Sequence, residues 1–318
     1  MNTIPLTFDE YQINRTVLGG QKNNSSNALN ISVVLLNTSG SHFKDQLFEN
    51  LLSCGFEQIV SVEHDPNNFS LDDLVKRFPS IKFIVPLENV TQGEMINLAM
   101  SEITSDYVLV LRDNLVIPSG IILTNLAEKL TQTGTYCIVP RVKDSKKISI
   151  DANLSPFIMK KHFVVEASGE VTDGMNTLYP YDFIALYNRK KFIQLGGFDY
   201  TIQSEYWQNL DLALRSWLWG EETKITTLLQ FTYAEDSFVE DKTLNLDYLR
   251  FYLKNILPRF KIDRSIIKKR QFFTFAFNSS CGFLEARRQF SAARKWVNEN
   301  RFKFKRDIIE LVEEWRSL

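Results

Sequence analysis

From residue 31 onward, nearly continuous apolar runs alternate with amphipathic stretches, and that alternation predicts the elements. "ISVVLLN", starting at Ile31, is apolar at almost every position, as a strand covered on both faces must be. "SHFKDQLFENLLSCG" reads as a helix with a serine start and a glycine stop, and "FEQIVSVE" as a second strand. The unit repeats through "SLDDLVKRF" (helix), "IKFIVPL" (strand), "TQGEMINLAMSEIT" (helix), "DYVLVLR" (strand), "SGIILTNLAEKLTQTG" (helix) and "TYCIVPRV" (strand). Strands that alternate with helices call for parallel pairing with helices on both faces of the sheet.

Between about residue 143 and 180 the periodicity lapses and Lys, Asp, Ser and Gly accumulate, which predicts a long loop or insertion over one face. Regular structure resumes with "YDFIALYN", a helix "RKKFIQL" stopped by Gly196-Gly197, a helix "SEYWQNLDLALRSWLWG" stopped by Gly220, and a last strand "TKITTLLQFTYAE". Trp207, Leu210, Leu214 and Trp217 keep helical spacing and read as core. Beyond Asp236 only helical patterns are visible; Ala286, Phe290 and Ala293 predict a helical hairpin packed on the main domain. The polar stretch "GGQKNNSSNALN" reads as a flexible connector. The expected organisation is an N-terminal segment and linker over 1–30, an α/β domain over 31–235 and an all-helical region over 236–318.

A chain of 318 residues with 44% hydrophobic content and a formal charge of −1 buries a full core. Cysteines 54, 137 and 281 are odd in number and scattered, which excludes a disulfide framework or zinc cluster and fits a reducing compartment. His42, His64 and His162 show no ligand spacing. No run of about 18 apolar residues occurs, and the start lacks a signal-type apolar stretch, so a cytoplasmic protein is expected, with the inner membrane face as a peripheral location. Charge is uneven: 14 Lys and Arg from Arg259 to Arg306 face only Asp263, Glu285 and Glu299, a balance of +11 that leaves −12 on the rest. Such a tail meets an anionic surface, a protein partner, or the acidic body of its own chain; nucleic acid is the least favoured partner.

Five segments in order resemble the glycosyltransferase family 2 domain of the GT-A fold over residues 31 to about 232: "ISVVLLN", "EQIVSVE", "LENVTQGEMIN", "SDYVLVLRDN" and "GGFDYTIQSEYWQNLDLALRSWLWG". The resemblance implies a mostly parallel sheet flanked by helices that binds a nucleotide-sugar where the strands end. It implies Asn37, Glu63, Asn89 and Asp113 on the nucleotide-sugar side, with Glu63 at the base and Asp113 at the ribose. Asp199, Gln208 and Asn209 fall on the acceptor side.

Two departures matter. Asn114 stands where the resemblance expects the carboxylate that holds a divalent metal, and a neutral amide is a poorer ligand for Mg²⁺ or Mn²⁺ than a carboxylate. Arg112 adds a fixed positive charge beside it. No metal ligand is therefore assigned, and a Mn or Mg cofactor is in doubt. Gln208-Asn209 replaces the Glu-Asp pair that contains the general base, and an amide takes no proton from a hydroxyl at neutral pH. If the chain is an enzyme, Asp211 is the remaining candidate base and Arg112 the counter-charge for the leaving diphosphate, with a glycan or lipid-linked hydroxyl as acceptor. The plainer roles are an Asp211–Arg215 helix pair and a structural ion pair of Arg112. The alternative function is a catalytically silent relative acting as a binding or partner module.

Overall fold

The computed structural model describes residues 13–21, 29–37, 44–63, 71–122, 124–159, 162–235, 237–279 and 281–315. The first half runs β1 (Arg15–Gly19), β2 (Ile31–Asn37), α1 (Lys44–Ser53), β3 (Ile59–Glu63), α2 (Leu71–Arg77), β4 (Lys82–Pro86), α3 (Gln92–Glu102), β5 (Tyr107–Arg112), β6 (Leu115–Val116), α4 (Thr124–Thr131) and β7 (Cys137–Lys143). There follow β8 (Asn153–Met159), β9 (His162–Ser168), β10 (Ala185–Asn188), α5 (Arg189–Leu195), α6 (Glu205–Leu218) and β11 (Thr223–Tyr233). The C-terminal region holds α7 (Leu246–Phe251), a π-helical continuation over Tyr252–Ile256, β12 (Arg259–Lys261), β13 (Arg264–Ile266), α8 (Gln271–Asn278), α9 (Phe283–Glu299) and α10 (Ile308–Trp315).

Among the described residues, nine strands form one sheet in the order β1-β4-β3-β2-β5-β10-β7-β11-β6. The block β4-β3-β2-β5 is parallel throughout, as the alternating pattern requires. Strand β10 enters antiparallel between β5 and β7, and β11 runs parallel to β7. Side-chain alternation sorts the core into two layers. One face packs on α1, α2 and α4 through Leu47, Phe48, Leu51, Leu74 and Leu130. The other packs on α3, α5 and α6 through Met95, Ile96, Phe192, Leu210 and Trp217.

Three expectations need correction. Residues 15–19, assigned to an N-terminal segment, pair antiparallel with β4. An outer parallel strand leaves a row of unpaired N–H and C=O groups, and this short segment satisfies them. Its end depends on Gly19, which has φ 69° and whose missing Cβ would lie 2.3 Å from the Ile81 carbonyl oxygen. The stretch expected as a loop over 143–180 contains the hairpin β8–β9. Pro156 within β8 argues against a central strand, and this hairpin stays outside the main sheet, where the missing donor is tolerated.

The C-terminal region is not all helical: β12 and β13 form a small antiparallel hairpin. Its turn carries Ile262 in the left-handed region at φ 61°, where a glycine or asparagine would have announced it. The expectation that this region packs on the α/β domain holds. Ala286, Phe290, Ala293 and Trp296 of α9 join the α3/α5/α6 core layer. Trp219 stacks on Trp296 at 6.1 Å, and Trp217 meets Trp315 at 4.6 Å.

Candidate functional site

Strands β3, β2 and β5 end side by side, with Asn37 paired to Glu63 and Leu36 to Arg112 in register. Ile31, Val33 and Leu35 of β2, Ile59 of β3, and Leu109 and Leu111 of β5 all face the α1/α2/α4 layer. Continuing the alternation places Asn37, Glu63 and Asp113 on that same face and Arg112 on the opposite one. Glu63 is buried and braced: its Oε2 accepts from Asn37 Nδ2 at 2.5 Å and its Oε1 from Ser61 Oγ at 2.7 Å. The residues that follow Asn37 and Glu63, His42 and His64 among them, lie outside the described residues.

Asp113 and Asn114 turn the chain from β5 into β6, and Asp113 is held by its N–H donating to the Leu36 carbonyl. They line a cavity of about 290 Å³ with Gln46, Asn50, Ala234 and Glu235. Asn114 Oδ1 is buried with no hydrogen-bond partner among the described residues. Among the described residues this corner is a poor fit for a divalent metal: Asp113 and Glu235 offer two carboxylates and Asn114 one amide oxygen, where Mg²⁺ or Mn²⁺ needs several oxygen ligands in one shell. Among the described residues no group of three His, Cys, Asp or Glu is arranged to hold an ion.

Arg112 turns out to be paired with a residue that the sequence did not point to. Its Nε lies 3.1 Å from Asp182 Oδ2, which also accepts from the Tyr233 hydroxyl at 2.6 Å. Arg112 Nη1 and Asp182 Oδ1 have no hydrogen-bond partner among the described residues. Asp182 and Phe183 both adopt left-handed backbone, at φ 49° and 62°, just before β10. Two consecutive non-glycine residues there carry strain of about 1–3 kcal/mol each, held by the surrounding packing. Burial pushes the Asp182 carboxyl up to about 6, against the opposing pull of Arg112 and the Tyr233 hydroxyl.

That shift has a definite sign. With a folded-state value near 6 and an ordinary value of 3.8, the folded protein holds the extra proton between those pH values. The contribution to stability is therefore fully present below about pH 3.8 and is lost as pH rises through about 6. Urea unfolding of wild type and Asp182→Asn over this interval should differ in slope, by a total of about 3 kcal/mol. The difference isolates Asp182 from Asp173 and Asp211, whose lowered values act in the opposite sense at lower pH. Equal slopes would assign the titration to another group.

The residues implied on the acceptor side come together, but inside the core. Gln208 is 0% exposed; its Oε1 accepts from Gly93 N–H at 3.1 Å, and its Nε2 donates to Thr91 Oγ1 and the Asp199 carbonyl. It thus completes the N-terminus of α3, where Thr91 and Glu94 already form a capping box. Asn209 donates to the Pro180 carbonyl at 2.7 Å.

Asp211 is also 0% exposed, and its neighbours account for it. Its Oδ2 accepts from Arg215 Nη2 at 2.7 Å, Lys254 Nζ lies 2.9 Å from Oδ1, and Asn255 Nδ2 donates to Oδ1 at 2.7 Å. The same Lys254 reaches Asp199 Oδ2 at 2.9 Å. Burial alone would raise the Asp211 carboxyl, but Lys254 and Arg215 outweigh it and hold the group below its usual range. A carboxylate with depressed proton affinity, enclosed by two cations, is poorly suited to remove a proton from a hydroxyl. The Asp211–Arg215 helix pair expected from the sequence is present. Lys254 and Asn255 come from the π-helical stretch about forty residues downstream, so no local spacing could have announced them. Asn89 sits exposed in the loop before α3.

No protein-family model matches the chain, and no curated protein matches it significantly. Solved structures do match in fold. The structure of GalNAc-T7 with UDP, GalNAc and Mn²⁺ superposes with a TM-score of 0.62 at 11% identity, over 94% of this chain and 60% of that one. The S. aureus TarS 1–349 structure superposes with a TM-score of 0.51 at 11% identity, over 83% of this chain and 70% of that one. The chain therefore spans about 60% of the GalNAc-T7 chain it matches. With helices on both faces of a mostly parallel sheet and the strand ends gathered as described, the chain has the GT-A fold of glycosyltransferases.

Proposed function

We propose that the chain binds a nucleoside diphosphate, or the corresponding nucleotide-sugar, at the strand-end crevice and acts as a binding or partner module with little or no sugar transfer. One observation carries this reading: Gln208, Asn209, Asp211 and Asp199, at the positions where the resemblance expects acceptor chemistry, are buried and committed to internal hydrogen bonds and ion pairs. The nucleotide side is the better preserved. Asn37 Oδ1, beside Glu63, has no hydrogen-bond partner among the described residues, and Asp113 lines a cavity large enough for part of a ligand. GalNAc-T7 was solved with UDP, which makes UDP the first nucleotide to try.

A second reading, metal-free transfer to a glycan or lipid-linked hydroxyl, is favoured by Arg112. Its buried guanidinium, paired with Asp182 through Nε, has an Nη1 without a partner among the described residues and carries charge of the kind that stabilises a departing diphosphate. Thermal-shift measurements with UDP, GDP and their sugars, with Mn²⁺ or with chelator, test the primary reading. At least one nucleotide is expected to raise the melting temperature in chelator, because a ligand that binds only the folded state stabilises it by mass action. No shift with any of them would overturn nucleotide binding, and rapid sugar transfer in chelator would establish the second reading.

A further inference from the structure

The C-terminal helical hairpin presents an apolar tip that the core does not use. In α8, Phe272 and Phe275 turn inward and meet Phe290 of α9 at 5.5 and 6.1 Å. Their neighbours Phe273 and Phe277, one helical turn apart, are 63% and 87% exposed. Across the connection, the first two residues of α9, Phe283 and Leu284, are 60% and 80% exposed. The Phe272 ring joins the two helices here, touching Phe273 at 5.6 Å and Phe283 at 5.5 Å. Scattered exposed apolar residues are ordinary, but four large ones at one helical tip form a patch of the kind that marks an interaction surface.

Cations flank both helices of this hairpin. Lys268, Lys269 and Arg270 immediately precede α8, and Arg287 and Arg288 lie one turn beyond Phe283 and Leu284. Arg287, Arg288 and Lys295 also line a shallow depression with Leu284. From residue 268 to 295 there are seven Lys and Arg against Glu285 alone, and Glu285 is already paired with Arg288.

We infer that this tip docks on an anionic phospholipid surface, with Phe273, Phe277, Phe283 and Leu284 entering the headgroup and acyl boundary while the surrounding Lys and Arg meet lipid phosphates. Charge complementarity and the arrangement of the apolar residues select this occupant. Aromatic and leucine side chains flanked by Lys and Arg are the composition of an interfacial anchor, whose strength adds apolar insertion to electrostatic attraction. A single-stranded nucleic acid would instead use stacking platforms along a basic track, and Leu284 offers no π face. The charge surplus seen in the sequence is thus only partly absorbed by packing. Among the described residues no helix is long and apolar enough to cross a membrane, so the contact is peripheral.

Vesicle flotation with the full chain tests this. The protein should float with phosphatidylcholine vesicles containing about 30% phosphatidylglycerol at low salt, stay behind with phosphatidylcholine alone, and lose most binding in high salt as screening grows. The double variant Phe277→Glu/Leu284→Glu should bind at least about tenfold more weakly with an unchanged melting curve, since both side chains are already in solvent. Arg287→Ser/Arg288→Ser should weaken binding at low salt and flatten its salt dependence. No flotation with anionic vesicles, or flotation untouched by the Phe277 and Leu284 changes, overturns the inference. So does a patch-dependent dimer by light scattering, or patch-dependent binding to single-stranded DNA, in the absence of vesicle binding.

Discussion

Asp211→Ala is expected to lower the free energy of unfolding by about 3–5 kcal/mol, the range for removing one partner from a fully buried ion pair. The change leaves Arg215 at 0% exposure without its carboxylate and removes one of the two acids around Lys254. It also strips the acceptor from Asn255 Nδ2 and frees the junction between α6 and the π-helical stretch, which carries the C-terminal region. Urea denaturation followed by tryptophan fluorescence reads this directly, because Trp207, Trp217, Trp219 and Trp296 lie in the same core layer. The catalytic alternative makes the opposite prediction: a base that touches substrate is removed at little cost in stability and great cost in turnover. An Asp211→Ala protein as stable as wild type would contradict the structural role.

The second large effect concerns turnover. Loss of a general base alone is commonly worth about 10²–10⁴ in rate, so wild-type hydrolysis or transfer of any sugar nucleotide should lie near background. Restoring acids should separate metal binding from chemistry. Asn114→Asp adds a third carboxylate, beside Asp113 and Glu235, to this cavity and should raise Mn²⁺ affinity by at least about tenfold in calorimetric titration. Sugar-nucleotide hydrolysis should not follow. Asn209→Asp should not restore activity either, because it would set a carboxylate against the Pro180 carbonyl in the core. Robust transfer by any of these proteins would mean that the chemistry uses other groups.

How much of this was legible follows from the range over which each signal acts. Strands β2 to β5 and helices α1 to α6 were readable because apolar periodicity is local, and the capping residues around Thr91 and Gly196 agree with it. The resemblance located the strand-end residues, and strand alternation does place Glu63 and Asp113 on one face. What escaped reading depends on distant partners. β1 is a strand because β4 lacks a neighbour, and five residues beside a polar stretch carry no such information. Pro156 hid the β8–β9 hairpin by arguing against a strand. Asp182 holds left-handed backbone without the glycine that usually signals it, and its Arg112 partner lies seventy positions earlier. The amides Gln208 and Asn209 were visible as substitutions, yet their hydrogen bonds to Gly93 and Pro180 were not.

The most direct test of the account is calorimetric titration of wild type with UDP and then GDP, once in chelator and once with Mn²⁺, repeated with Asp113→Ala. One of these nucleotides should bind with a dissociation constant that differs by no more than about twofold between the two conditions, and Asp113→Ala should weaken it in both. Binding that appears only with Mn²⁺ and vanishes in Asp113→Ala, or no binding of either nucleotide, would contradict it.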